Sequence, residues 1–334
     1  MRKLNVGFIG CGGFGRAVHI TNMKANPKYH LRAAMDINEA AAKTTAEEFG
    51  MQYWTTDLNR LLSDDSIDVA VISTVHDSHA ELSVAAANAG KHVLCEKPMG
   101  LNREECKAVA EAVKKNGVKY TVGYNRGMAP LVTQARDMIA NIPHKKLIYH
   151  CIQALFPVDH WTHDPARGGG RFVGEGCHIF DLICELIQCP PVSVYASGGT
   201  FLDPNIVKIP DSGIVTITFA DGSVGTTLIA SAGCGFFPKE STEIYVDLKA
   251  IHINDFKEMT CCGFDGKECE KIDLGAIDKG HKVEIDLFAD AILNDTDPPN
   301  GPINAAKAAV ISFMVSESIA TGQAVPITEK DYVF

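Results

Sequence analysis

Apolar residues in the first third of the chain come in short unbroken runs instead of strict alternation. The segments 4–10 (LNVGFIG), 30–36 (HLRAAMD), 67–74 (IDVAVIST), 92–96 (HVLCE) and 119–123 (KYTVG) are brief, apolar and rich in β-branched residues. Runs of this kind predict strands buried on both faces, as in a parallel sheet. Between them, apolar positions recur at helical spacing over 17–25, 39–49, 58–62, 80–89 and 103–115. Strand and helix in turn predict an α/β fold, a doubly wound parallel sheet of the Rossmann kind.

The rhythm changes after Gly123. A helix is predicted over 130–140, a strand over 146–155, a loop carrying HWTHDPARGGG, and a helix over 176–187. Strand patterns follow at 192–197, 212–219, 223–231, 243–248 and 250–254, joined by hairpin signals such as ADGS. Two helices, 281–293 and 304–321, close the chain. The second part therefore reads as an α+β domain on an open, mostly antiparallel sheet. With 334 residues the chain is long enough for two cores, and the change of pattern sets the domains at 1–124 and 125–334.

Composition narrows the partners. Lys plus Arg number 31 against 41 Asp plus Glu, a formal charge of -10, which argues against nucleic acid or an anionic membrane. The eleven cysteines form no CxxC pair and no cluster with zinc spacing, so reduced thiols, a cytoplasmic setting and no metal are expected. The N-terminus runs into a glycine-rich turn instead of a signal-like apolar stretch, and no unbroken apolar run approaches membrane-spanning length.

That turn, GFIGCGGFGRA, places Gly10, Gly12 and Gly15 in GxGxxG register between the first strand and a helix. Gly10 makes the tight turn, Gly12 lets backbone approach a pyrophosphate, and Gly15 allows helix and strand to pack closely. Gly13 and Phe14 complete the loop. Asp36 ends the second strand where a ribose-binding carboxylate belongs, and no arginine beside it would receive a 2′-phosphate. The predicted cofactor is NAD. The alternative for Asp36 is a helix cap near Asn38.

Strands of such a sheet aim their C-terminal ends at the ligand crevice. The stretches VISTVHDSH and CEKPMG then open beside the nicotinamide, making Thr74, His76, His79 and Glu96 candidates for the cofactor site. Lys97 could hydrogen-bond a substrate hydroxyl and exchange a proton with it. Downstream, Glu175, His178 and Asp181 recur at three-residue spacing behind a glycine-rich approach and share one helix face, with Ile179, Leu182, Ile183 and Leu186 on another. A solvated surface stripe is the alternative. His160 and Asp164 of the polar loop are further substrate-binding candidates.

Taken together, GFIGCGGFGR, AGKHVLCEKP, GYNRGMAPLV and GGGRFVGEGCHIFDL resemble the Gfo/Idh/MocA oxidoreductases, which include inositol and sugar dehydrogenases. The resemblance spans nearly the whole chain. It implies a catalytic Lys97 and His178, with Asp181 holding a substrate hydroxyl and Asn125 and Arg126 near the substrate. It also implies homodimers or homotetramers formed through the C-terminal sheet. Departures exist: the aspartate usual four residues before the histidine is Gly174, with Glu175 next to it as the substitute partner, and Arg126 is followed by Gly127. The expected activity is NAD-dependent oxidation of a secondary hydroxyl of a cyclitol or sugar, or the reverse. Two other readings are a glycoside-processing enzyme that uses tightly held NAD for transient oxidation, and a non-catalytic NAD-binding regulator.

Overall fold

The computed structural model describes residues 2–155 and 157–334. They divide into two compact units. One runs to Tyr124 and adds His281–Ala306 and Phe334; the other comprises Asn125–Gly280 and Lys307–Val333. The sequence pattern alone puts all of 125–334 in one domain. Residues His281–Ala306 belong to the first unit because Ile285, Phe288 and Ala289 of helix His281–Leu293 are buried in one apolar cluster with Leu4, Val6, Tyr29 and Leu31. The Tyr29 hydroxyl also donates to the Ile285 carbonyl at 2.6 Å.

The first unit is built on a six-stranded parallel sheet, with β1 Leu4–Ile9, β2 Tyr29–Met35, β3 Tyr53–Thr55, β4 Val69–Ile72, β5 His92–Cys95 and β6 Tyr120–Val122. The order is β3-β2-β1-β4-β5-β6, and the reversal between β1 and β4 is the switch point of a Rossmann sheet. Val6, Phe8, Val69, Val71, Val93 and Leu94 are all buried, as strands covered on both faces require. The three-residue edge strand β3 escaped the sequence reading; Tyr53 and Trp54 are only half-buried, so no apolar run marks it.

The second unit carries a nine-stranded sheet: β7 Leu147–Gln153, β8 Pro191–Gly199, β9 Ser212–Phe219, β10 Val224–Ala230, β11 Glu240–Val246, β12 Lys249–Asn254, β13 Glu258–Cys262, β14 Cys269–Asp273 and β15 Val325–Pro326. Its order is β14-β13-β12-β11-β7-β10-β9-β8-β15, antiparallel except for the β7–β10 pair. Burial alternates along β9, β10 and β11, so one face is covered. Helix Cys177–Ile187 lies on that face: a Cβ at Gly225 of β10 would come within 2.3 Å of Ile183, so glycine sets the close approach.

Three sequence expectations change here. The strand predicted over 243–248 ends at Val246, because Asp247 and Leu248 both take positive φ (49° and 59°) in the two-residue turn to β12. The hairpin β13–β14 was missed, since β14 is charged and mostly exposed. Cys262 and Cys269 face each other across that hairpin in a disulfide, which corrects the expectation of eleven reduced thiols. Helix Pro302–Thr321 is long and apolar enough by composition to cross a membrane. Ala305, Ala306, Ala308, Ala309, Val310 and Ile311 are fully buried in protein, so the core accounts for its apolar character.

Candidate functional site

In the first unit the glycine loop follows β1 directly. Gly10 has φ +94°, and a Cβ there would sit 2.3 Å from the Ser73 carbonyl oxygen beyond β4. At Gly15 a Cβ would press within 2.9 Å of the Ser73 hydroxyl. These two glycines therefore draw the loop against β4. Gly12 and Gly13 differ: a Cβ at either meets nothing within 4 Å, and with Phe14 they are exposed. The loop thus has a backbone surface open to a ligand, beside a helix that starts at Gly15 with a π-helical stretch to Ile20 and continues as Thr21–Ala25. N–H groups of such a first turn are free to bind phosphate.

Asp36 stands at the end of β2. Its Oδ2 accepts the Cys11 N–H at 2.7 Å and its Oδ1 the Asn38 N–H at 2.8 Å. Each carboxylate oxygen retains a lone pair for a ribose hydroxyl. The helix cap is Asn38, whose side chain accepts the Ala41 N–H. Burial, and then the Asp36 charge, push the Cys11 thiol up to about 11, so it stays neutral beside the loop. The open glycine backbone and the accepting carboxylate fit the two ends of an adenosine diphosphate group.

The turns after β4 and β5 open on the same edge of the sheet as the glycine loop. Thr74 Oγ1 lies 2.7 Å from Ser78 Oγ. His76 is buried, with its ring 5.6 Å from that of His79. His79 is fully buried; its Nδ1 lies 2.8 Å from the Pro98 carbonyl and its Nε2 3.3 Å from the Thr74 carbonyl. It straps the two turns together, and burial lowers its pKa. Glu96 is buried and Lys97 half-buried, followed by a cis bond to Pro98. Among the described residues, no group of His, Cys, Asp and Glu is arranged to hold a metal ion.

In the second unit, helix Cys177–Ile187 is preceded by a π-helical turn, Phe172–Gly176. His178 and Asp181 are 4% and 1% exposed, which removes the reading of a solvated stripe. Burial, and then the Glu185 charge, raise the Asp181 carboxyl well above its usual range, so it can donate as well as accept. The Cβ absent at Gly127 would lie 3.8 Å from Asp181 Oδ2.

Glu175 is drawn into a different group. It accepts from Arg126 at 2.9 Å and lies 4.0 Å from Arg171 and 3.8 Å from Lys239. Arg126 in turn grips Glu240 through two hydrogen bonds of 2.6 and 2.9 Å, and Lys279 also pairs with Glu240. Burial would raise the Glu240 carboxyl, but Arg126 and Lys279 outweigh it and hold it at about 2. Nearby His150 is pushed down to about 4 by burial. Asn125 donates to the Lys279 carbonyl at 2.7 Å. Of the loop candidates, His160 caps the turn Trp161–His163, and Asp164 is exposed and accepts the Ala166 N–H.

Sequence reading missed Glu240, Lys279 and His150, which sit on or beside strands with no motif around them. It also missed His19, a lone histidine inside a helix, which is buried and lies 2.6 Å from Glu96.

Residues 4–124 match the oxidoreductase family with an NAD-binding Rossmann fold, and residues 148–251 match the GFO/IDH/MocA C-terminal domain. Levoglucosan dehydrogenase of Pseudarthrobacter phenanthrenivorans is 36% identical over 265 residues, 68% of this chain and 67% of that one. Inositol 2-dehydrogenase of Rhizobium meliloti is 30% identical over 226 residues, 68% of each. A solved levoglucosan dehydrogenase, in complex with NADH and levoglucosan, shares the fold at a TM-score of 0.88 and 24% identity, over 98% of this chain and 100% of that one. With its glycine loop, Asp36 and two-part architecture, the chain is an NAD-binding oxidoreductase and belongs to the Gfo/Idh/MocA family.

Proposed function

We propose that this protein oxidises a secondary hydroxyl of a cyclitol or sugar, or reduces the corresponding ketone, with Lys97 and His178 as the catalytic side chains. The observation that carries the reading is a half-buried lysine at the C-terminal end of β5, on the same sheet edge as the open glycine loop. When bound, the oxidised nicotinamide supplies the hydride acceptor. Lys97 donates a hydrogen bond to the substrate oxygen and holds the alcohol in place. His178 takes the hydroxyl proton as general base. Asp181 orients a neighbouring hydroxyl. Glu175 acts through its contacts with Arg126 and Arg171 and shapes the polar wall of the second unit instead of pairing directly with the base.

Asp36 sets a preference for NAD, since its carboxylate accepts from a 2′-hydroxyl and repels a 2′-phosphate. The reading includes self-association through the outer face of the nine-stranded sheet, where Tyr149, Tyr195, Ile214 and Tyr245 of β7, β8, β9 and β11 are exposed. The test is NADH absorbance on mixing the protein and NAD⁺ with inositols, aldoses and levoglucosan, beside Lys97→Met. Turnover on one class that the variant lacks supports the reading. Full turnover in Lys97→Met refutes the role of Lys97, and silence across the panel with NAD retained after gel filtration points to transient oxidation without net redox.

A further inference from the structure

Lys97 is held by its neighbours on both sides. After it, the Pro98 carbonyl is tied to His79. Before it, Glu96 sends a side chain back into the protein: Oε2 accepts the Lys97 backbone N–H at 3.2 Å, and Oε1 lies 2.6 Å from His19 Nε2. The Glu96 backbone N–H is itself paired with the Ile72 carbonyl of β4 at 2.8 Å. Space for the carboxylate comes from Gly123, where a Cβ would stand 3.0 Å from Oε1. Two further elements thus converge on Glu96: the helix after the glycine loop and the segment after β6.

The chemistry of this pair is determined by burial. Glu96 and His19 are 7% and 1% exposed. Burial would push the Glu96 carboxyl up, but the hydrogen bond from His19, then its charge and that of Lys97, bring it below its usual value. An ionised carboxylate only accepts, so His19 Nε2 is the donor of this hydrogen bond. Its other nitrogen, Nδ1, is buried with no hydrogen-bond partner among the described residues. An apolar residue at this position would leave the buried Glu96 carboxylate without this hydrogen bond. The ring also touches the glycine loop: Phe14, 49% exposed, stacks edge-on against His19 at 5.8 Å.

We propose that His19 is a positioning residue: through Glu96 it fixes the backbone of Lys97, and through Phe14 it links that lysine to the nucleotide loop. The inference rests on the catalytic reading of Lys97, and its test is kept separate from turnover. Lys97 is labelled with an acetylating reagent and its modification rate is measured by peptide mass spectrometry, with and without NADH, relative to the other lysines. In the wild type NADH changes the Lys97 rate. In His19→Leu the rate without NADH changes about tenfold and its response to NADH is lost, while NADH affinity, read by fluorescence, stays within about threefold. His19→Gln, which keeps a side-chain N–H for Glu96, restores the wild-type pattern, and Glu96→Gln reproduces His19→Leu. With a substrate from the panel, such as levoglucosan or myo-inositol, His19→Leu lowers kcat about a hundredfold with little change in KM.

An unchanged Lys97 rate and NADH response in both His19→Leu and Glu96→Gln overturns the proposal. So does equal damage from His19→Gln and His19→Leu, or loss of NADH binding in step with the labelling change, since either marks a purely structural histidine. Full turnover by Lys97→Met overturns the catalytic reading instead, and leaves the labelling result to stand on its own.

Discussion

Replacing Glu240 by glutamine tests the electrostatic core of the second unit. Its carboxylate is 1% exposed, grips Arg126 through two hydrogen bonds and also pairs with Lys279. Two routes give the size of the effect. A carboxyl taken from 4.5 to about 2 on folding contributes about 3 kcal/mol at neutral pH. Removing one partner of a buried pair independently costs about 3–5 kcal/mol, because the remaining charge is left uncompensated. Glu175 still holds one Arg126 nitrogen at 2.9 Å, so the lower end, about 3 kcal/mol, is expected. Urea unfolding followed by fluorescence should show a lower midpoint at an unchanged slope. The pH dependence has a definite sign: the folded pKa is depressed, so the contribution is complete above about pH 4.5 and is lost as pH falls toward 2. A loss below about 1 kcal/mol at neutral pH would mean that the pair behaves as a solvent-screened one and not as a buried one.

Other outcomes follow from the same geometry. Gly12→Ala adds a methyl that meets no protein atom; stability should change by less than about 0.5 kcal/mol, while NADH affinity in a fluorescence titration falls about tenfold or more. His150, neutral in the fold at about 4 against 6.5, makes stability fall by about 3 kcal/mol as pH drops from about 6.5 to 4, since the unfolded chain binds the proton first; His150→Gln should flatten that limb in urea midpoints measured across pH. Asp36→Ala should reduce discrimination against NADP by about tenfold in comparative cofactor titrations.

The Rossmann unit was legible because each of its signals is local. Strand runs such as Val69–Ile72, the glycines at 10, 12 and 15, and Asp36 lie in short windows whose backbone demands can be read residue by residue. Helix His281–Leu293 could not be placed that way: nothing in its amphipathic pattern says that Phe288 packs with residues of β1 and β2, hundreds of positions earlier. The edge strands β3, β14 and β15 also hid, being short or charged. Around Lys97 and His178 the motifs give residue types and spacing only. The burial of Asp181, the capture of Glu175 by Arg126 and the pairing of His19 with Glu96 depend on tertiary placement. The spacing that put Glu175, His178 and Asp181 on one face assumed an α-helix throughout; the π-helical turn Phe172–Gly176 shifts Glu175 relative to the other two.

NADH formation with inositols and levoglucosan, compared between the wild type and Lys97→Met, is the decisive measurement for a catalytic lysine on this sheet edge. Turnover on a polyol or sugar should fall about a hundred- to ten-thousandfold in the variant, with NADH affinity retained. Equal turnover by the two proteins would contradict it.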